Sequence, residues 1–190
     1  MNMATGVLLG VAVLVVVYVI SAYNRLVAVK HAVDKAWANI DVLLKQRHDE
    51  LPKLVTVCKE YQQFEQSTLQ QVIAARAQVQ TSREQQDVAA LGRAEGSLRS
   101  GLGQIFAVAE AYPELRANES FQQLQSRISQ LENALADRRE FYNEAVNINN
   151  VRIELFPDRL IAQRFNFGPR TLLTFAAEEK TDVDLKALFR

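Results

Sequence analysis

Ala4-Thr5-Gly6-Val7-Leu8-Leu9-Gly10-Val11-Ala12-Val13-Leu14-Val15-Val16-Val17-Tyr18-Val19-Ile20-Ser21-Ala22 contains no charged side chain, and its reading decides the architecture. As a helix rising about 1.5 Å per residue, this run covers roughly 28 Å, close to the ~30 Å hydrocarbon thickness of a bilayer. A helix also satisfies its own backbone N–H and C=O groups, which lipid cannot do. The rival reading is a cleaved secretory signal, which calls for a basic leader, an apolar core of about 7–15 residues and small residues at the cleavage site. Met1-Asn2-Met3 has no Lys or Arg, the run is longer, and Ile20 spoils a small-x-small pattern around Ser21-Ala22. Residues 1–23 are therefore expected to be an uncleaved, single-pass anchor. Arg25, Lys30 and Lys35 all follow the span, so the positive-inside tendency places the N-terminus outside and the C-terminal domain in the cytoplasm. Gly6 and Gly10 make a G-x-x-x-G pair, which either lets a second membrane helix approach closely or reflects the abundance of glycine in membrane helices.

Residues 24–190 suffice for one domain with a core, and not comfortably for two. Lys plus Arg and Asp plus Glu stand at 22 each, so no net field favours nucleic acid or an acidic partner. The single Cys58 can form no intramolecular disulfide, which suits a reducing compartment. Seven glycines and four prolines in 190 residues, against abundant Ala, Gln, Leu and Glu, favour helix over sheet.

Apolar side chains at Val33, Trp37, Ile40, Leu44, Leu51, Leu54, Cys58 and Tyr61 alternate by threes and fours, the mark of one buried helical stripe. Arg47 interrupts that stripe where an apolar residue is expected. Pro52 lies inside it and removes one backbone hydrogen bond, yet the register survives, so a kinked continuous helix is expected. A corner near His48–Leu51, with Asp49 capping a new helix, is the alternative. The second arm is expected to run through Phe64, Leu69, Val72, Ile73 and Val79 and to end near Thr81-Ser82, with a loop over 81–87. A third segment spans about Asp87 to Tyr112, and its Gly92, Gly96, Gly101 and Gly103 suit close helix approach or local fraying. Asn118 is expected to cap a fourth segment that ends at Pro157. The predicted fold is all-α: an N-terminal membrane helix, then an antiparallel bundle of three to four long helices over 24–157, with coiled-coil-like stripes. Residues 158–190 differ, because Arg159, Arg164 and Arg170 interleave with Leu160, Phe165, Phe167, Leu172 and Phe175. Those aromatics cover the open end of the bundle, the preferred reading, or meet an anionic membrane, or stack on single-stranded nucleic acid. The final 178–190 stretch is a flexible tail or a partner-binding helix.

Several blocks form an ordered series along the chain. Ile40-Asp41-Val42-Leu43-Leu44-Lys45-Gln46-Arg47-His48-Asp49 leads into Leu51-Pro52 and Leu54-Val55, after Tyr23-Asn24 and Leu26-Val27. Phe64-Glu65, Ala75-Arg76, Val108-Ala109-Glu110-Ala111-Tyr112-Pro113-Glu114-Leu115, Ala117-Asn118 and Phe121 follow. Leu131-Glu132-Asn133, Arg139, Tyr142-Asn143, Val146, Asn149 or Asn150, and Phe156-Pro157 complete it, while Glu50 and Lys53 depart from the pattern around the proline. Together these blocks resemble the LemA family, and the resemblance implies a membrane anchor and a cytoplasmic helical bundle in a bacterial inner membrane, with no settled activity. Its motif residues Asp41, Arg47, Pro52, Glu65, Arg76, Glu110, Tyr112, Pro113, Glu132, Arg139, Tyr142 and Asn143 are expected to hold the fold or to meet a partner.

No catalytic, cofactor or metal site is expected. His31 and His48 have no partners spaced for a triad and read as surface histidines, and Cys58 reads as a small buried hydrophobe. Glu65, Glu110 and Glu132 lie on separate arms, as inward carboxylates of two-metal bundles do, but the Glu-x-x-His pairs of such sites are missing. Pairing of these carboxylates with Arg47, Arg76 and Arg139 is the plainer expectation. The resulting picture is a non-enzymatic interaction module on the bilayer, self-associating and docking an unidentified protein, with no nucleic acid partner. A bundle-carboxylate metal enzyme and a signalling component are the alternatives, although the few residues ahead of the span leave little room for a sensory domain.

Overall fold

The computed structural model of the protein describes residues 3–61 and 64–174. It contains α1 (Met3–Lys59), α2 (Gln66–Glu84), α3 (Val88–Ala109), α4 (Pro113–Ala117), α5 (Glu119–Glu154) and α6 (Asp158–Arg164). The all-α expectation holds, with four long helices and two short ones. Among the described residues one helix, α1, is long and apolar enough at its N-terminal end to cross a membrane. Among the described residues, two compact units share these helices, one built from residues 3–40 and 138–172, the other from 41–61, 64–137 and 173–174.

Heptad spacing explains the long helices. On α1, Leu26, Val33, Ile40, Arg47 and Leu54 recur every seventh residue and all are buried. Phe121, Ile128, Leu135, Tyr142 and Asn149 do the same on α5. Seven residues are nearly two turns, so each set lines one face, where packing supplies the stability that propensity alone does not. Helix α1 passes through Pro52 without ending, as expected for the continuous alternative. Helix α1 ends later, at Lys59, and α2 begins at Gln66, so the stripe does not carry through Tyr61 into one arm. Helix α2 then outruns its expected end near Thr81-Ser82 and stops at Glu84, leaving only 85–87 as the turn.

Local polar chemistry sets the other boundaries. The Asp87 carboxylate accepts from the Ala90 amide at 2.9 Å and caps α3. Asn118 Oδ1 accepts from the Phe121 amide at 3.1 Å and caps the start of α5, as its residue type predicts. Pro113 opens α4 at its first turn, where the missing N–H costs nothing. In the second unit, the core runs through Leu44, Leu51, Leu54 and Cys58 of α1, Val72 of α2, Leu91 and Ile105 of α3 and Ile128 of α5, all at most 2% exposed.

In the first unit, Ala22 and Leu26 of α1 form one apolar cluster with Ile161 and Ala162 of α6, backed by Ile153 and Phe167. Tyr23 meets Phe165 and Phe167 edge-on, with ring centroids 5.0 and 5.8 Å apart. Ala22, the last residue of the apolar run, thus belongs to the folded unit. Residues 165–174 split the two sequence readings of the C-terminal segment, since Phe167 and Leu173 pack while Phe165 and Leu172 stay exposed. Phe175 and the 178–190 stretch lie outside the described residues.

Close approach explains two of the glycines on α3. A Cβ on Gly92 would fall 2.1 Å from the Thr174 carbonyl oxygen, and one on Gly101 would fall 2.9 Å from a Val72 methyl. Gly103 faces open space. In detergent-solubilised full chain, Gly92→Ala should lower unfolding stability by ~1–3 kcal/mol, because backbone must move. Gly101→Ala should cost less, since a valine side chain can yield, and Gly103→Ala should be neutral or stabilise by up to ~1 kcal/mol. Urea unfolding followed by circular dichroism checks the ranking, and equal effects at 92 and 103 would contradict the packing.

Candidate functional site

The second unit buries an arginine. Arg47 stands at a heptad position of α1, 1% exposed, and donates from its two terminal nitrogens to Glu95 on α3 and Glu132 on α5. Burial works against the guanidinium charge, but the two carboxylates outweigh it and hold Arg47 above its ordinary value. Burial pushes the Glu95 carboxyl up, and Arg47 draws it back only in part. Arg47 Nε has no partner among the described residues. A cation so enclosed and so paired has no access to a substrate. Its chemistry is to fix how three helices meet.

Pro52 creates a second polar junction. Its ring nitrogen cannot donate to the carbonyl four residues earlier, that of His48, so this oxygen loses its helical partner. Arg76 on α2 supplies one, with Nε donating to the His48 oxygen at 3.1 Å. Its terminal nitrogen also lies 2.5 Å from His48 Nε2, so the geometry assigns the neutral ring the tautomer that accepts there. Burial first, then the Arg76 charge, holds His48 below the usual histidine value. His48 is therefore half-buried and engaged, contrary to the surface histidine expected from its charged neighbours. Two turns along, Arg83 grips Asp41 bidentately, with the second contact at 3.0 Å, and holds the Asp41 carboxyl below its ordinary range.

Glu65, Glu110 and Glu132, weighed as inward carboxylates and set aside, do not converge. Glu65 precedes α2 and Glu110 follows α3, both exposed, and Glu65 accepts from Thr68 Oγ1 at 3.1 Å. Only Glu132 reaches the interior, and its interior companion is Glu95, which sequence reading passed over. The missed signal was a lone charge on the buried face of α3, one turn from Leu91 and Leu98, matching the lone charge at Arg47. Tyr112 packs on Phe64 at 5.8 Å, beside Pro113. Arg139 and Asn143 are half-buried on α5. Among the described residues no three His, Cys, Asp or Glu side chains gather closely enough for a metal ion. Cys58 is enclosed, and burial pushes its thiol up to about 12, far from a nucleophile's range.

The first unit offers the more open chemistry. A cleft of about 530 Å³ is lined by Tyr23, Lys30, His31, Asn149, Phe165 and Arg170 among others. Its wall from Gly168 to Thr171 is an irregular strap held by side chains of α5. Asn149 Nδ2 donates to the Gly168 oxygen at 3.3 Å, and Asn150 exchanges bonds of 2.9 and 2.8 Å with the Arg170 backbone. The Tyr142 hydroxyl donates to the Thr171 oxygen at 2.9 Å, and its ring lies against Trp37 at 5.6 Å. Arg170 lies 3.4 Å from Asp34, and Lys30 adds a second cation to the lining. Such a lining suits an anion better than a cation. Gly6 and Gly10 stand apart on the exposed apolar helix, where an added Cβ at either would touch nothing.

Two expected outcomes follow. Arg76→Ala should destabilise by ~1–3 kcal/mol in the native background, since a partly buried carbonyl loses a charged donor. In a Pro52→Ala background, where residue 52 regains its N–H, the same substitution should cost distinctly less, and a double-mutant cycle without coupling would refute the pairing. His48 binds a proton less readily when folded, so the stability it contributes is present above about pH 6.5 and declines as pH falls through that range. His48→Gln should flatten the stability profile between about pH 7 and pH 5. Urea titrations at stepped pH measure the slope, and an unchanged slope would count against it.

The family model described as LemA family matches residues 36–186, which takes in the arms joined by Arg47, His48, Arg76, Glu95 and Glu132. Magnetosome protein MamQ 2 and Magnetosome protein MamQ 1 of Paramagnetospirillum magneticum (strain ATCC 700264 / AMB-1) are each 32% identical over 73 residues, 38% of this chain and 27% of their own length. The match thus spans about a quarter of those relatives. Because the family match runs through most of the chain and through every arm of the bundle, the protein belongs to the LemA family.

Proposed function

We propose that this LemA-family protein is a non-enzymatic interaction module held on the membrane by a single helix, with its bundle in the cytoplasm and a tendency to self-associate. One observation carries the reading. Every side chain from Ala4 to Ile20 is exposed, although nearly all are apolar, and the same helix continues unbroken into packed protein. Apolar surface on that scale is uncovered only where lipid or another helix covers it. The basic flank at Arg25, Lys30 and Lys35 supports the cytoplasmic side for the bundle. The open faces of Gly6 and Gly10 leave room for a second copy within the membrane.

A further exposed stripe supports an interaction role. Phe141, Ile148 and Val151 follow one another by seven and three residues on α5, each 48–62% exposed. The opposite face of that helix is already committed through Tyr142, Val146 and Asn149. Enzymatic readings find less support. Cys58 is sealed, His48 is held by Arg76, and the carboxylates that converge are taken by Arg47. Glu65 and Glu110, needed for a metal-dependent bundle site, stay at the surface.

Reporter fusions after Arg190 should show cytoplasmic-type activity, and the full chain should resist alkaline extraction from membranes. In native membranes, cross-linking should capture species larger than the monomer, and Ile148→Glu with Val151→Glu should reduce them. Extraction as a free soluble protein would end the anchor reading. Isolated monomers throughout would end the reading of self-association.

A further inference from the structure

We infer that α6, with the Leu155–Phe156 corner before it, is a foot that lies in the interfacial layer of an anionic bilayer beside the end of the apolar helix. The inference rests on reading residues 4–20 as a membrane span, and adds a second, peripheral contact with the same lipid surface. Tyr18 belongs to that run, two residues before Ile20 and so only roughly 3 Å from its end along the axis. Its hydroxyl donates to Asp158 Oδ1, the first residue of α6, at 2.9 Å. Asp158 is 5% exposed and also meets Arg152 at 2.6 Å and Arg25 at 3.6 Å. Ala22 and Leu26, one and two turns on, pack against Ile161 and Ala162. Polar and apolar contacts therefore pin α6 at the level of residues 18–26, the boundary between hydrocarbon and headgroups for a helix crossing at 4–20.

The free face of the foot has the chemistry of that boundary. Phe156 is 80% exposed, Leu160 59%, Phe165 51% and Leu155 49%. Arg159 and Arg164 are exposed among them, and Arg25 is 44% exposed beside the span. The Arg164 guanidinium lies over the Phe165 ring at 6.0 Å, and that of Arg25 over Tyr18 at 5.9 Å. Apolar side chains that enter the acyl boundary, with arginines that reach phosphate oxygens, are what holds a short amphipathic element flat on anionic lipid. The buried face, through Asp158, Ile161 and Ala162, is already taken by protein. Lipid is the occupant that both the level and the cations select, since a second protein copy would need neither.

The test uses full chain reconstituted in vesicles of phosphatidylglycerol and phosphatidylethanolamine. Single cysteines at Val13, Phe156 or Leu160 carry a polarity-sensitive fluorophore, and buried Cys58 stays unlabelled. Labels at 156 and 160 should be quenched by lipids bearing a nitroxide near the headgroup, to about half or more of the quenching that a deep nitroxide gives at 13. Exchange of phosphatidylglycerol for phosphatidylcholine should weaken the response at 156 and 160 by about twofold or more, with position 13 unchanged. A silent label at 13 would remove the span itself. A lipid-quenched label at 13, with 156 and 160 reached only by aqueous iodide or shielded from both quenchers, would overturn the foot and leave the span standing. Indifference to lipid charge would overturn its anionic preference.

Discussion

The structure depends on α1 remaining one helix from its apolar end to Lys59, and the weakest link in that helix is a carbonyl. Proline at 52 deprives the His48 oxygen of the donor that every other interior turn supplies. A helix in this position either bends open to water or finds a donor elsewhere. Arg76 is that donor, and the same guanidinium orients the His48 ring. The defect in one helix thereby becomes the docking point for the next. This explains why a stripe-bearing helix tolerates a proline: the lost bond is replaced by a tertiary one that exists only when α2 is in place.

Arg47 works by a related logic. An arginine at a heptad core position costs desolvation that apolar packing would not, and ion pairs in such places seldom add net stability. What they add is exclusion. Any register of α1 that moves Arg47 off Glu95 and Glu132 leaves a buried charge without a partner, a loss of ~3–5 kcal/mol for a broken buried pair. Repeating apolar stripes alone would allow α1 to slide by a heptad against its neighbours. We regard the triad as the device that forbids this slip, with Asp41 and Arg83 fixing the α1–α2 pair at a more exposed site.

Much of the fold was legible because heptad spacing and capping are local. The apolar run, the stripe from Val33 to Cys58, the Asn118 cap and continuity through Pro52 all follow from neighbours in sequence. The end of α1 at Lys59 was not legible, since Tyr61 and Phe64 continue the apolar pattern. Phe64 is buried beyond that end, so composition could not tell a helix from a packed corner. Partners of buried charges were hidden for another reason. Arg47 announced itself by interrupting a stripe, but the choice among several glutamates depends on which helix faces which, and that is tertiary information. Glu65 and Glu110 lay in recognisable motifs and were for that reason easier to favour than Glu95.

The boundary between the proposed span and the folded protein shows the same limit. Charge pattern marks its level near Tyr23-Asn24-Arg25, yet packing begins earlier, at Tyr18 and Ala22. A tyrosine hydroxyl and a buried aspartate can only pair there because α6 returns to the helix from more than a hundred residues away. In hydrocarbon an unpaired hydroxyl is costly, and so is a lone carboxylate. Together, with Arg25 and Arg152 completing the set, they satisfy one another at a level where water is scarce. The anchor in the proposed reading is therefore no passive tether: its last turn is part of the folded unit, so tilt or displacement of the helix in lipid must be felt by α6 and the strap that follows it.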